Sequence, residues 1–280
     1  MTAVLADEVI TCLRQLPALP SAVAQLLTTF GNEEVDVAEI ARQIGRDQAL
    51  AARLLRVANS SFYGLQGKVA TINDAVVILG FSAVRSMVLA VGISGVFRAD
   101  HCPGFDRPAY VRHAVGVGLA ARALARQTGR NAELAFTGGI LHDIGVLVLA
   151  SCFPDSYSEA MAYRERHECS HLVAERDIIG LDHAEIGGLL ADAWSFPASL
   201  RAALAGHHAP AEFTADLPAD LIHVADGIAH ALGLSQSIDE MVLPVDRTAW
   251  HRLGMDQQKI AAILPQVAGG MDEACLIFNA

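Results

Sequence analysis

Apolar positions recur at three- and four-residue intervals along nearly the whole chain, the spacing that lays one stripe along a helix. In "DVAEIARQIG", Val37, Ile40, Ala41 and Ile44 share a face; Asp36 with Glu39 predicts the start, and Gly45 predicts the stop. "RDQALAARLLRVANSSFYG" repeats the design, with Asp47 as cap, Leu50, Leu54 and Ala58 in one row, and Gly64 as the end. "TINDAVVILG" starts at Thr71 with Asp74 behind it and stops at Gly80. "FSAVRSMVLAVGISGVF" is apolar nearly all round, which predicts a helix buried on most sides. After Phe97, "RADHCPGFDRP" is the clearest break and predicts a connector between two helical halves. Beyond it the pattern predicts helices over about 108–127, 134–150 and 155–167, then from Asp182, from Pro197 to His207-His208, and through "PADLIHVADGIAHALG". No alternating strand pattern of useful length interrupts them, so the fold class is all-α.

The run from Leu134 to Ala150 contains only three polar side chains, Thr137, His142 and Asp143. An ionised carboxylate removed from water costs several kcal/mol unless something neutralises it. On that basis, asparagine at position 143 should leave a metal-free protein unchanged or more stable. The same run borders on membrane-span length, but its central Asp, its glycines and its lack of basic flanks predict a buried core helix.

The chain has 280 residues, 52% of them hydrophobic and 18% charged, enough apolar material for a substantial core. Its net charge of −11, with lysine only at Lys68 and Lys259, excludes a nucleic-acid partner, because no basic stripe could track a phosphate backbone. The start, "MTAVLADEVITCLRQ", has no basic segment followed by an apolar block, which argues against a signal peptide and for a cytoplasmic protein with no membrane partner. Cys12, Cys102, Cys152, Cys169 and Cys275 are odd in number and dispersed, which predicts reduced thiols.

Histidines fall where such a chain has least need of them. His113 stacks with Val117, Ala120 and Leu124 on an apolar face, a place where most histidines are ordinary core residues. His183 follows the capping pair Asp182–Glu185, where a surface histidine is the ordinary reading. His207-His208 closes a helix, where imidazoles suit the dipole. In the last helix Leu221, Ala225, Ile228 and Leu232 make the core stripe with Asp226 at its edge, while His223 and His230 face the wetter side and read as surface residues. Taken together, five separate helices offer His113, His142-Asp143, His183, His207-His208 and Asp226. That mixture of imidazole and carboxylate suits a divalent metal, and a cation would neutralise Asp143.

At this point the sequence resembles the HD superfamily and, more narrowly, the HDOD family of HD-related output domains. The first half carries the likeness in "LPALPSAVAQLL", "IGRDQALAARLLRVANSSFYG" and "INDAVVILGFSAVRSMVLA"; the second carries it in "GGILHDIGVLVL", "GLDHAEIGGLLADAWSFP" and "AGHH". The likeness covers residues 13–235, with an N-terminal helical bundle over about 13–104, an HD-like half over about 105–235, and 236–280 as a helical extension. It implies a bacterial signalling output module working through protein contacts with a histidine kinase or response regulator. It also implies one or two divalent ions (iron, manganese or zinc). His113, His142, Asp143 and Asp226 would hold one, and Asp143 would bridge to a second held by His183 and His207, with His208 as an extra ligand.

The alternative that the likeness implies is a metal-dependent phosphohydrolase acting on a nucleotide or other phosphate ligand. Two departures weigh against it: phosphodiesterases of the HD-GYP kind follow His-Asp-Ile-Gly with lysine where this chain has Val146, and they carry Gly-Tyr-Pro where this chain reads "HHAPAEFTADLP". Trinuclear members place a Glu where this chain has Ala109. A separate motif, His167-Glu168-Cys169-Ser170-His171, matches the HExxH pattern of zinc proteases and would need one helix to face both histidines the same way. Its charged surroundings and the lack of a third ligand make a solvated helix the better reading.

Overall fold

A computed structural model describes residues 6–29, 36–59, 67–97, 99, 102–213, 218–237 and 240–275. Capping side chains fix where its helices begin. Asp36 accepts the Glu39 N–H at 3.0 Å to start α3 (Val37–Arg46), and Asp47 accepts the Leu50 N–H at 3.0 Å to start α4 (Gln48–Ala58). Thr71 and Asp74 exchange bonds in a capping box at the head of α5 (Ile72–Leu79), and Gly80, at φ +86°, turns the chain into α6 (Phe81–Ser94). The end predicted at Gly64 lies outside the described residues.

With α2 (Ser21–Thr28), helices α3 to α6 pack on one another as an N-terminal bundle. The second half centres on the long α7 (Arg107–Gln127), which lies against α8 (Ala132–Leu141) and α14 (Pro218–Ala231). Around these stand α9 (Ile144–Cys152), α10 (Pro154–His167), α11 (His171–Ile178), α12 (His183–Ala193) and α13 (Ala198–Gly206). The bundle meets this half where α6 packs on α8 and Ser86 Oγ donates to the Glu133 carbonyl at 3.0 Å. After the short α15 (Arg247–Arg252), α16 (Gln257–Cys275) lies along α7. Among the described residues there is no strand, and buried apolar side chains from both halves form one continuous core.

Two glycines allow the closest helix contacts. A Cβ on Gly139 of α8 would lie 2.6 Å from the Gly118 Cα of α7. A Cβ on Gly145 of α9 would collide with the His183 carbonyl oxygen and sit 3.0 Å from the Gly187 nitrogen. Close approach at these points fixes the crossings that bring α7, α8, α9 and α12 together.

The structure corrects several expectations. The run 134–150 is not one helix: α8 ends at Leu141, α9 starts at Ile144, and His142-Asp143 forms the joint. Apolar residues on every side hide such a break, because no stripe changes register. The span 132–152 is long and apolar enough to cross a membrane, yet 83% of its most apolar window is buried inside the protein. The cysteines are not all thiols. The first helix, α1 (Ala6–Gln15), packs on α9 and α12 and brings Cys12 to Cys152 as a disulfide, with Cα atoms 6.3 Å apart across 140 residues of sequence.

The HExxH motif is split as well. His167 ends α10, Glu168 turns left-handed at φ +49°, and Ser170 Oγ caps α11 by accepting the Val173 N–H. His167 and His171 therefore sit on different helices, because Ser170 is a better helix start than a helix interior. Leu232, expected in the core stripe, lies beyond the end of α14 and is 36% exposed.

Candidate metal centre

Backbone geometry fixes the proton on two ring nitrogens. His142, just past the last turn of α8, points Nδ1 at the Gly139 carbonyl at 2.8 Å; His207, just past α13, points Nδ1 at the Leu204 carbonyl at 2.8 Å. A carbonyl can only accept, so each Nδ1 carries a proton and each ring turns its Nε2 inward. His183, in the first turn of α12, gives both its backbone N–H (2.8 Å) and its Nδ1–H (2.7 Å) to one oxygen of Glu175, a fully buried carboxylate on α11. Its Nε2 also faces inward.

These nitrogens converge on Asp143. Its Oδ1 lies 3.2 Å from His142 Nε2, 3.2 Å from His183 Nε2 and 3.4 Å from His207 Nε2, and its Oδ2 lies 3.6 Å from His113 Nε2. Asp226 Oδ1 lies 3.1 Å from His113 Nε2 and 3.9 Å from His142 Nε2. His183 Nε2 and His208 Nε2 approach to 2.8 Å. All seven residues anticipated from the sequence therefore meet in one place. Their donor atoms fall into one group of Asp143, His183, His207 and His208 and another of His113, His142 and Asp226, each within 4.8 Å.

Charge is balanced inside the cluster. Burial pushes the Asp143 carboxyl up, but the neighbouring imidazoles of His142 and His183 override it and hold it well below the ordinary value. Burial acts on Asp226 in the same way, and His113 and His230 draw it well below as well. Burial lowers His183, yet Glu175 and Asp143 raise it well above the ordinary histidine value. Burial, and then the neighbouring His207 and His183, push His208 well below it.

The donor set fits a divalent cation. His207 Nε2 is buried without a hydrogen-bond partner, and inward nitrogens face each other at 2.8–3.2 Å. Two lone pairs at that distance repel unless a proton or a cation lies between them. Imidazole nitrogen with carboxylate oxygen is the mixture that iron, manganese and zinc accept.

Several participants are not legible in the sequence. His230, expected at the surface, is half-buried: its Nε2 is 3.3 Å from Asp226 Oδ1, its Nδ1 is 3.1 Å from Glu240 Oε1, and its ring lies tilted against that of His113. Burial lowers its pKa, but the bond to Asp226 outweighs that and raises it to about 9. His223 is also half-buried, donating Nδ1–H to the His207 carbonyl at 2.7 Å and accepting the Asp246 N–H at Nε2. Residues 240–246 cover the face of α14 that its own periodicity marks as wet. Glu175 is a third, and no local pattern announces it.

A cavity of about 760 Å³ opens on the cluster at Asp143, His113, His183 and His208. Tyr110, Tyr157, Arg164 and His171 line it, and Val146 sits in its wall. Burial raises the Tyr110 hydroxyl well above its ordinary pKa, and burial next to Arg164 brings His171 down to about 3. Arg164 thus supplies a basic side chain to the cavity whose wall carries Val146.

A family model described as "HDOD domain" matches residues 16–210. An uncharacterised protein of Treponema pallidum (strain Nichols) is 27% identical over 218 residues, which is 76% of this chain and 42% of that relative. The chain therefore spans less than half the length of the curated relative it matches. Among solved structures, a candidate phosphohydrolase of Shewanella amazonensis SB2B is 27% identical, with a TM-score of 0.75 and 97% of both chains covered. A candidate signal transduction protein of Marinobacter aquaeolei VT8 shares the fold at 20% identity and TM-score 0.78, covering 98% of this chain and 65% of that one.

Proposed function

The chain belongs to the HDOD domain family, and from that premise we propose that it is a metal-bearing signalling output module acting through protein contacts. The domain so proposed runs over 13–235, with 236–280 as a helical extension, in a cytoplasmic protein whose partners are a histidine kinase or response regulator. The observation that carries the metal reading is the set of inward Nε2 atoms around Asp143, with the orphaned His207 Nε2 among them. His113, His142 and Asp226 would hold one ion, and His183, His207 and His208 a second, with Asp143 between them.

A second reading, a metal-dependent phosphohydrolase, is favoured by the cavity that reaches the cluster past Arg164. When bound, the metal would supply polarisation of a phosphoryl oxygen and a water acidic enough to attack at neutral pH. The chain's own contribution would be Arg164 pairing with phosphate charge, Tyr110 and His171 as neutral hydrogen-bonding walls, and exclusion of bulk water.

Metal analysis of the purified chain, followed by hydrolysis of bis(p-nitrophenyl) phosphate with manganese or iron, tests both readings. The expected result is at least one bound metal per chain and no turnover. Turnover lost in Arg164→Ala with metal retained would promote the phosphohydrolase, and a folded chain that takes up no metal would remove both readings. A further expected outcome concerns Glu175, which fixes the His183 tautomer from behind. Glu175→Gln should weaken metal binding roughly 10–100-fold while the fold survives, measured by competition with a chelator of known affinity.

A further inference from the structure

We propose that Cys12 and Cys152 form a reversible redox clamp, and that opening it loosens the hold of the His/Asp cluster on its divalent ion. The inference rests on the metal reading above and adds a control to it. Asp143 immediately precedes α9, and His183 begins α12; their side chains meet at 3.2 Å. Near the cluster these two helices touch through bare backbone, where Gly145 abuts His183 and Gly187. At its far end α9 finishes in Cys152, which is bonded to Cys12 on α1. Helix α1 in turn lies on α12 and α9, with Val9 and Leu13 buried in the core.

Helices α9 and α12 are thus tied at one end by close packing and at the other by a cross-linked strut. Without the bond, α1 is a ten-residue helix held by a few side chains, the kind of element that opens locally long before the whole protein unfolds. Its release would uncover the outer side of both helices that present Asp143 and His183. Cys12 lies before residue 16, where the family match starts, and Cys152 lies within the match. Cys12 and Cys152 are both half-buried, within reach of an attacking thiolate.

The chemistry balances with a dithiol as reductant. One thiolate of the dithiol attacks a sulfur of the Cys12–Cys152 bond and expels the other as thiolate, and the dithiol's second sulfur then resolves the mixed disulfide. The dithiol is oxidised by two electrons, and Cys12 and Cys152 leave as two thiols that take up its two protons.

The test uses the full chain loaded with manganese(II), either air-oxidised, reduced with a phosphine that binds metal weakly, or carrying Cys12→Ser. EDTA should strip manganese at least ten-fold faster from the reduced protein and from C12S than from the oxidised protein, while Cys169→Ser behaves as wild type. Trypsin should cut after the exposed Arg14 faster in the reduced protein and in C12S only. Equal stripping rates within two-fold would overturn the proposal. So would a non-reduced digest that lacks a peptide joining residues 12 and 152. If the oxidised protein binds no manganese, the metal reading fails instead; Arg14 cleavage then decides the clamp, and equal cleavage in all forms overturns it too.

Discussion

Asp143→Ala is expected to leave the purified protein without its divalent metal, because the Asp143 carboxylate lies within 3.6 Å of four imidazole nitrogens from four separate elements. Under the proposed assignment both ions lose a ligand at once. Metal content should fall below a tenth of the wild-type value, read by elemental analysis after gel filtration. Asp143→Asn separates charge from shape. In the metal-free protein the sequence alone would make this change neutral or stabilising; the structure reverses the sign, because the carboxylate is surrounded by imidazoles and its pKa is held down.

The pH dependence follows from the same shifts. A carboxyl depressed in the fold contributes stability above its unfolded value near 3.9, and loses it as pH falls through the folded value. The raised His183 and His230 contribute fully below about 6.5, and lose it as pH rises through their folded values, about 9 for His230. The lowered His208 and His171 act the other way and lose stability as pH falls below about 6.5. Chelated wild type should therefore be most stable at roughly pH 6.5, and Asp143→Asn should cost about 3 kcal/mol at roughly pH 5.5–6.5. The gap should narrow above pH 9. Thermal melts of both chelated proteins at pH 5.5 and pH 9.5 measure it, and equal melting temperatures at pH 5.5 would contradict the electrostatic account.

Gly145→Ala is expected to damage fold and site together. Its new methyl group would meet backbone on two sides, the His183 carbonyl and the Gly187 nitrogen, and neither can turn away as a flexible side chain could. Helices α9 and α12 would have to separate, at the upper end of what overpacking costs, about 3 kcal/mol. The displacement falls two residues from Asp143 and directly on His183, so metal retention should fall with stability. Gly45→Ala provides the contrast: Gly45 lies inside α3 with nothing within 4 Å of a Cβ, so the change should stabilise by up to about 1 kcal/mol. Urea unfolding of the two variants against wild type measures the difference.

What the chain determines locally is the all-helical class, most helix starts, and the identity of the donor side chains. Asp36, Asp47, Thr71–Asp74 and Asp182–Glu185 each act on a backbone group three residues away, so their effect is written in adjacent sequence. Imidazole and carboxylate groups likewise announce metal chemistry by type, and a buried Asp143 demands a neutralising partner wherever the fold puts it. The tertiary structure decided the rest: the joint at His142-Asp143, the roles of His223 and His230 under the 240–246 segment, the anchoring of His183 by Glu175, Arg164 in the cavity, and the bond from Cys12 to Cys152. Each depends on how helices far apart in sequence cross, and periodicity within one helix records which face is apolar but not what comes to cover the other.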